Sequence, residues 1–324
     1  MNVLGVETSC DESAASVVGA DGVRADIIYS QRVHEAYGGV VPELAARAHL
    51  ERIAAVVEAA LTESGVSRPD AVAATAGPGL VGAVLVGFSW AKALARAWDV
   101  PFIGVNHLEG HLLSPRLDEP DLVFPYLGLV VSGGHTALYL VEGLGRYQTL
   151  GQTVDDAVGE AFDKVARMMD LGYPGGPVVD RMAALGDATA LTLPRPRVRG
   201  EPMAWSFAGL KTAVRQALAR EVLDPKDVCA AFQEAAVDSL MSRVRLAMKQ
   251  TGVRRLALAG GVAANEGLRS AALALKADGV EVFVPPKTRC TDNGSMIAYA
   301  GRCHLMAGRR DRLDMTVRAQ WPVA

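Results

Sequence analysis

Cysteine is scarce, and its scatter excludes more than its number. The four cysteines, Cys10, Cys229, Cys290 and Cys303, lie far apart with no C-x-x-C pair. Neither a disulfide framework nor a cysteine-rich zinc module is supported, and a reducing compartment is expected. Long apolar runs are missing too: none approaches the roughly 20 residues that span a bilayer. The opening MNVLGVETSCDES turns acidic and polar after six positions, with no basic stretch leading into an apolar one. No membrane is expected, and the cytoplasm is the expected location. There is no excess of positive charge either. A formal net charge of −3 and a pI near 6.1 exclude a chain that is basic throughout, but not a local basic patch. A Walker A loop is also absent; the nearest string, Gly209-Leu210-Lys211-Thr212, has the wrong spacing.

What is present suits a large folded chain. Over 324 residues, 50% are hydrophobic and 21% charged, which gives ample core and a prior of two domains or one large α/β domain. Residues 3–8, 14–19 and 23–30 read as three short strands, then 42–64 as an amphipathic helix. A buried-type strand at 71–75, a helix over 80–98, a strand at 101–105 and a helical segment from about 106 follow. After the proline-containing break at 117–125 the same order recurs. Strands are expected at 126–132, 135–141 and 147–152, a helix over 155–169, and further helices up to 250. A strand at 255–259, a helix over 265–276, a strand at 280–284 and a closing helix over 291–306 complete the chain. Two halves with one order of elements indicate an α/β chain built by internal duplication.

Four turns are rich in glycine: 77–82 (GPGLVG), 132–136 (SGGHT), 173–177 (YPGGP) and 260–265 (GGVAAN). Backbone approaches a phosphate or ribose closely only where side chains are absent, so four such turns at corresponding strand ends point to a nucleotide-like ligand. The first matches G-x-G-x-x-G, but a dinucleotide fold is disfavoured. Pro78 removes an amide, and the strand after the helix ends in Asn106-His107 without the acidic residue that holds a ribose.

His107 and His111 are four apart, about 40° around a helix, so two imidazoles can reach one metal from the same face. Glu109, two residues on from His107, projects about 200° away, which removes the general base that a zinc protease needs. A carboxylate would complete such a site. Asp292, at the start of the closing helix, is the candidate, its other role being that of an N-cap. The stretch 193–203, containing PRPRVRGEP, is linker-like; its arginines Arg195, Arg197 and Arg199 belong either to a solvated loop or to a phosphate-contacting one.

With these motifs the chain resembles the tRNA N6-adenosine threonylcarbamoyltransferase family over nearly its whole length. The resemblance rests on residues 5–13 (GVETSCDES), 34–43 (HEAYGGVVPE), 75–80 (TAGPGL), 107–111 (HLEGH), 131–136 (VSGGHT), 155–164 (DDAVGEAFDK), 173–177, 260–265 and 291–293 (TDN). It implies the actin, hexokinase and Hsp70 type of ATPase fold, two duplicated α/β lobes around a cleft. The lobes are expected at 1–118 and 119–290, with 291–324 as closing helix and tail. It also implies one divalent metal, usually iron, on His107, His111 and Asp292, though two nitrogens and an oxygen suit Zn, Mn or Co as well. Val130, Val131, Ser132, Gly133, Gly134, Asp163, Gly176, Asp180 and Asn265 would hold threonylcarbamoyl-AMP, the adenine nucleotide of the cleft. Asp11 and Glu12 would face its phosphate side, either accepting the proton of the attacking amine or acting through charge alone.

The implied reaction moves the threonylcarbamoyl group to N6 of adenosine 37 in a tRNA anticodon stem-loop, with Arg195, Arg197 and Arg199 as expected tRNA contacts. The implied partners are a non-catalytic paralogue and a P-loop ATPase. The family more often has Phe at the Trp205 position and Ser at the Ala208 position, departures on a loop expected beside the cleft. A small-molecule kinase of the same fold is the competing class, and it has no use for the histidine pair.

Overall fold

The apolar runs 3–7, 71–77 and 126–131 are buried on both faces, as expected of central strands that carry helices on either side. They organise two sheets in a computed structural model that describes residues 1–324. The chain divides into two compact units, one made of Met1–Asp121 with Asp292–Ala324 and the other of Leu122–Thr291.

In the first unit the elements run β1 (Val3–Glu7), β2 (Glu12–Gly19), β3 (Gly22–Ser30), α1 (Pro42–Ser64), β4 (Ala71–Gly77), α2 (Val81–Trp98), β5 (Phe102–Asn106), α3 (His107–Leu113) and α4 (Pro115–Asp118). The sheet order is β3-β2-β1-β4-β5. β1 pairs antiparallel with β2, Val3 opposite Val18, and parallel with β4, Val3 opposite Ala71. α1 opens on Pro42 and closes on Gly65, whose φ of 67° lies in the left-handed region that glycine adopts without strain. It buries Ala45, His49, Ile53, Val57 and Ala60, one stripe at helical spacing.

The second unit repeats the plan with β6 (Tyr126–Val131), β7 (Thr136–Gly143), β8 (Arg146–Gln152), α5 (Val158–Met168), α6 (Gly175–Ala183), α7 (Ala208–Arg220), α8 (Pro225–Thr251), β9 (Arg255–Ala259), α9 (Glu266–Ala274) and β10 (Glu281–Phe283). Read from its other edge the order is β8-β7-β6-β9-β10, with two antiparallel and two parallel pairings, the same succession as in the first sheet. The duplication read from the order of elements is thus present in strand order and pairing. Trp205 is fully buried here, its indole N–H donating to the Ser239 carbonyl at 3.0 Å. The Trp205 departure from the family pattern therefore lies in the core, not on a surface that meets substrate.

Helix α5 begins three residues later than expected, because Asp155 and Asp156 have long-range partners. Asp155 accepts from the Phe207 amide at 2.8 Å, and Asp156 takes Lys164 and Lys211, each at 2.7 Å. The last helix, α10 (Gly294–Met306), returns to the first unit and packs on β1, β2 and α3. Gly5 makes that approach possible: a Cβ there would lie 2.3 Å from the Ala298 nitrogen and 2.4 Å from the Gly294 carbonyl oxygen.

Candidate metal centre and glycine loops

The metal-ligand candidates stand on two short, firmly placed pieces of backbone. Asn106 caps α3, its side-chain oxygen accepting from the Leu108 amide at 2.9 Å, while its NH2 donates to the Trp321 carbonyl at 2.9 Å. All seven residues of α3 are buried. At α10 the cap is Asn293, whose Oδ1 accepts from the Met296 amide at 2.9 Å. The capping role open to Asp292 thus falls to its neighbour, and Asp292 turns to the histidines. Its Oδ1 lies 2.9 Å from His111 Nε2 and 3.6 Å from His107 Nε2. One ligand atom from each of the three residues falls within a 4.8 Å group, and the rings stand edge to face with centroids 4.7 Å apart.

A fully buried carboxylate, Glu7, to which the sequence assigned no role within the 5–13 motif, stands behind His107. Its Oε2 accepts from His107 Nδ1 at 3.0 Å and from the Thr75 hydroxyl at 2.5 Å; its Oε1 accepts from the Ser9 amide. Burial raises the Glu7 carboxyl, but the charge and hydrogen bond of His107, with the Thr75 bond, outweigh that and hold it below the usual range. Burial favours neutral His107, yet the charges of Asp292 and Glu7 push it up to about 9. Glu109 instead faces His304 of α10, Oε2 to Nε2 at 2.8 Å, away from the histidine pair.

Asp11 and Glu12 lie at the β1–β2 turn, where the Asp11 carbonyl accepts from the Gln31 amide at 3.0 Å. Glu12 is raised well above the ordinary carboxylate range by burial and by the charges of Asp11, Asp292 and Glu7. The same surroundings push the Cys10 thiol up, so it offers no thiolate at neutral pH. Two buried imidazoles converging with the Asp292 carboxylate form a nitrogen and oxygen donor set that a divalent cation would satisfy.

In the second unit, Val130 and Val131 end β6 and are buried, and the following turn closes on itself. The Ser132 amide donates to the His135 carbonyl at 2.8 Å, and the His135 amide to Ser132 Oγ at 3.0 Å. Beside it the β9 turn comes close at Gly260, whose φ is 90° and where a Cβ would lie 2.4 Å from the Val131 carbonyl oxygen. Asp163 on α5 accepts from the Gly175 and Gly176 amides at 2.8 and 3.3 Å and so caps α6. Asp180 on α6 accepts from the Glu266 amide at 3.2 Å, next to Asn265, which caps α9 by accepting from the Leu268 amide at 2.9 Å. These residues form one hydrogen-bonded array at the starts of α6 and α9, and their side chains already serve the backbone.

The three arginines divide. Arg195 is held on α8 by Glu234 at 2.9 Å and Asp238 at 2.7 Å, whereas Arg197 and Arg199 are exposed. A further arginine, Arg243, has no signal in the sequence because it reads as one polar position in a long helix. It is buried and donates to the Pro196 and Ala204 carbonyls at 3.1 and 3.3 Å, fastening the arginine loop.

Two five-stranded sheets of matching order define an ATPase-like fold of the actin, hexokinase and Hsp70 type, and solved structures agree. Full-length HypF, crystallised in a phosphate- and nucleotide-bound form, superposes with a TM-score of 0.66 at 15% identity over 94% of this chain and 46% of HypF, so the chain spans about half of that protein. Component A of the (R)-2-hydroxyglutaryl-CoA dehydratase of Acidaminococcus fermentans gives 0.57 at 15% identity, over 95% of this chain and 100% of that one. Within that fold the sequence is more specific. The model of the tRNA N6-adenosine threonylcarbamoyltransferase family matches residues 22–299. A protein of that name from Sphingopyxis alaskensis is 53% identical over 99% of this chain and 95% of its own length, and one from Trichlorobacter lovleyi is 50% identical over 100% and 97%. The chain belongs to the tRNA N6-adenosine threonylcarbamoyltransferase family.

Proposed function

We propose that this chain transfers the threonylcarbamoyl group of threonylcarbamoyl-AMP to N6 of adenosine 37 in tRNAs that read codons beginning with adenine. The observation that carries the reading is identity of about half, over essentially the full length, to relatives named for this activity. The N6 amine forms a C–N bond to the carbamoyl carbon, the C–O bond to AMP breaks, and the amine proton passes to a base. Asp11 is the acceptor we favour, because burial and facing carboxylates favour the neutral form of Glu12. The base to be modified lies in a single-stranded loop, where extruding it costs less than from a duplex.

The adenylate would lie against residues 130–134, Gly176, Asp180 and Asn265, beside Asp163. No atom lies within 4 Å of where a Cβ would stand at Gly133, Gly134 or Gly176, so packing does not account for glycine there, whereas close approach of a ligand does. Holding donor and amine together matters because an exocyclic amine is a poor nucleophile. A divalent ion on His107, His111 and Asp292, iron by family resemblance, would supply Lewis-acid polarisation of a carbonyl or phosphate oxygen.

Arg197 and Arg199 are the tRNA contacts we favour, with Arg195 bracing their loop. The cytoplasm, where tRNA is modified, is the proposed location, with a non-catalytic paralogue and a P-loop ATPase as partners; no helix is long and apolar enough to cross a membrane. Incubation with those partners, ATP, threonylcarbamoyl-AMP and unmodified tRNA should yield threonylcarbamoyladenosine by mass spectrometry of the digested tRNA. Failure with authentic partners and supplied threonylcarbamoyl-AMP would turn the assignment toward a kinase or a scaffold.

A further inference from the structure

The first unit contains two buried histidine–glutamate pairs, and they differ in one respect. Glu109 meets His304 at 2.8 Å, and His304 stands outside the metal-ligand group. Glu7 meets His107 at 3.0 Å through Nδ1, and the other nitrogen of that ring, Nε2, is the one turned toward Asp292. The Glu7 carboxylate is itself immobilised, by the Ser9 amide on Oε1 and the Thr75 hydroxyl on Oε2, so that donors from the β1–β2 turn, β4 and α3 fix its plane. A carboxylate with no exposed surface is costly unless every oxygen is satisfied, and this one is satisfied in a single orientation.

We propose that Glu7 is the positioning residue of the metal centre: by accepting the Nδ1 proton of His107 it fixes the ring and presents the Nε2 lone pair to the ion. The inference rests on the reading of His107, His111 and Asp292 as ligands. Partners in this position orient the imidazole and raise its basicity, and their loss typically weakens metal binding 10- to 100-fold. Glutamine is nearly isosteric but brings an NH2 group against either the Ser9 amide or the two donors on Oε2, so Glu7→Gln disturbs the clamp without opening a cavity.

The test is metal affinity, measured by chelator competition with zinc and with cobalt, on wild type, Glu7→Gln and Glu109→Gln. Glu7→Gln should bind about 10- to 100-fold more weakly, with an altered cobalt absorption spectrum, while Glu109→Gln keeps wild-type affinity even if it melts earlier. Imidazole nitrogen NMR of the zinc-loaded wild type needs no variant to fold, and should show His107 protonated at Nδ1 and coordinated through Nε2. Wild-type affinity in Glu7→Gln, or coordination through Nδ1, overturns the role of Glu7 and leaves the ligand assignment standing. A wild type that takes up neither ion overturns the ligand assignment and this inference with it.

Discussion

Gly5→Ala tests how the fold builds the metal centre from a distance. The new Cβ would lie 2.3 Å from the Ala298 nitrogen, against ordinary contacts of 3.4 Å or more, and its neighbours are two backbone atoms and the Ala298 Cβ of α10, none of which can swing aside. Strand β1 and helix α10 must therefore part by about 1 Å, an overpacking that costs roughly 2–3 kcal/mol when backbone must move. Asp292 is two residues before the first residue of α10 and moves with it. Ligand distances in metal sites hold to about 0.2 Å, so a displacement of that size removes the third of the proposed ligands. The variant should melt several degrees below wild type in the metal-free form, and its zinc affinity should fall about 100-fold or more by chelator competition. Wild-type melting and wild-type affinity together would refute the claim that the β1–α10 contact holds Asp292 in place.

Further expectations concern charge. Asp292→Asn should abolish metal retention and transfer while the circular dichroism spectrum is kept, because Asp292 is the most exposed of the three proposed ligands, with 17% of its side chain accessible; His107→Ala is a poorer probe, since it leaves Glu7 buried without its imidazole. His107 is pushed up to about 9, so at pH 7 the metal-free protein carries a proton there that an incoming ion must displace. Metal affinity measured against pH should rise about tenfold per unit from pH 7 and flatten above pH 9. The same shift stabilises the metal-free fold fully below the ordinary value of 6.5, and that contribution fades as pH rises through about 9. Asp156→Asn frees Lys164 and Lys211 and should cost about 1–3 kcal/mol by urea unfolding at pH 7 with no change in metal affinity. Burial would raise Asp156, but hydrogen bonds from the two lysines hold it below 3.8, so that stabilisation is present above that pH and fades below it. Replacing Arg197 and Arg199 by alanine should weaken tRNA binding and reduce its salt dependence by about one unit of slope for each phosphate that the protein no longer neutralises; Arg195→Ala should mainly loosen the loop, because Glu234 and Asp238 already hold that side chain.

The order of elements was legible because strands buried on both faces are short apolar runs in the sequence, and the helix α1 carries its buried stripe at a regular spacing. The histidine pair was legible for the same reason, four residues being one helical turn. Glu7 was not, since a glutamate inside a short strand carries no signal of its own, and only the packing of β4 and α3 around it shows what it holds. The sequence left Asp292 between ligand and helix cap; the cap is Asn293, one residue on, a side chain that caps equally well. Asp155 and Asp156 sit where a helix should begin, but partners about fifty residues away in the chain pull them out of it.

The most direct measurement is the fate of adenosine 37 in tRNA incubated with this protein, the two proposed partners and threonylcarbamoyl-AMP. Mass spectrometry of the digested tRNA should find threonylcarbamoyladenosine with the wild type and none with Asp292→Asn. No modified nucleoside with metal-loaded wild type would contradict the proposed transfer. Equal yields from the two proteins would contradict the role given to the metal centre.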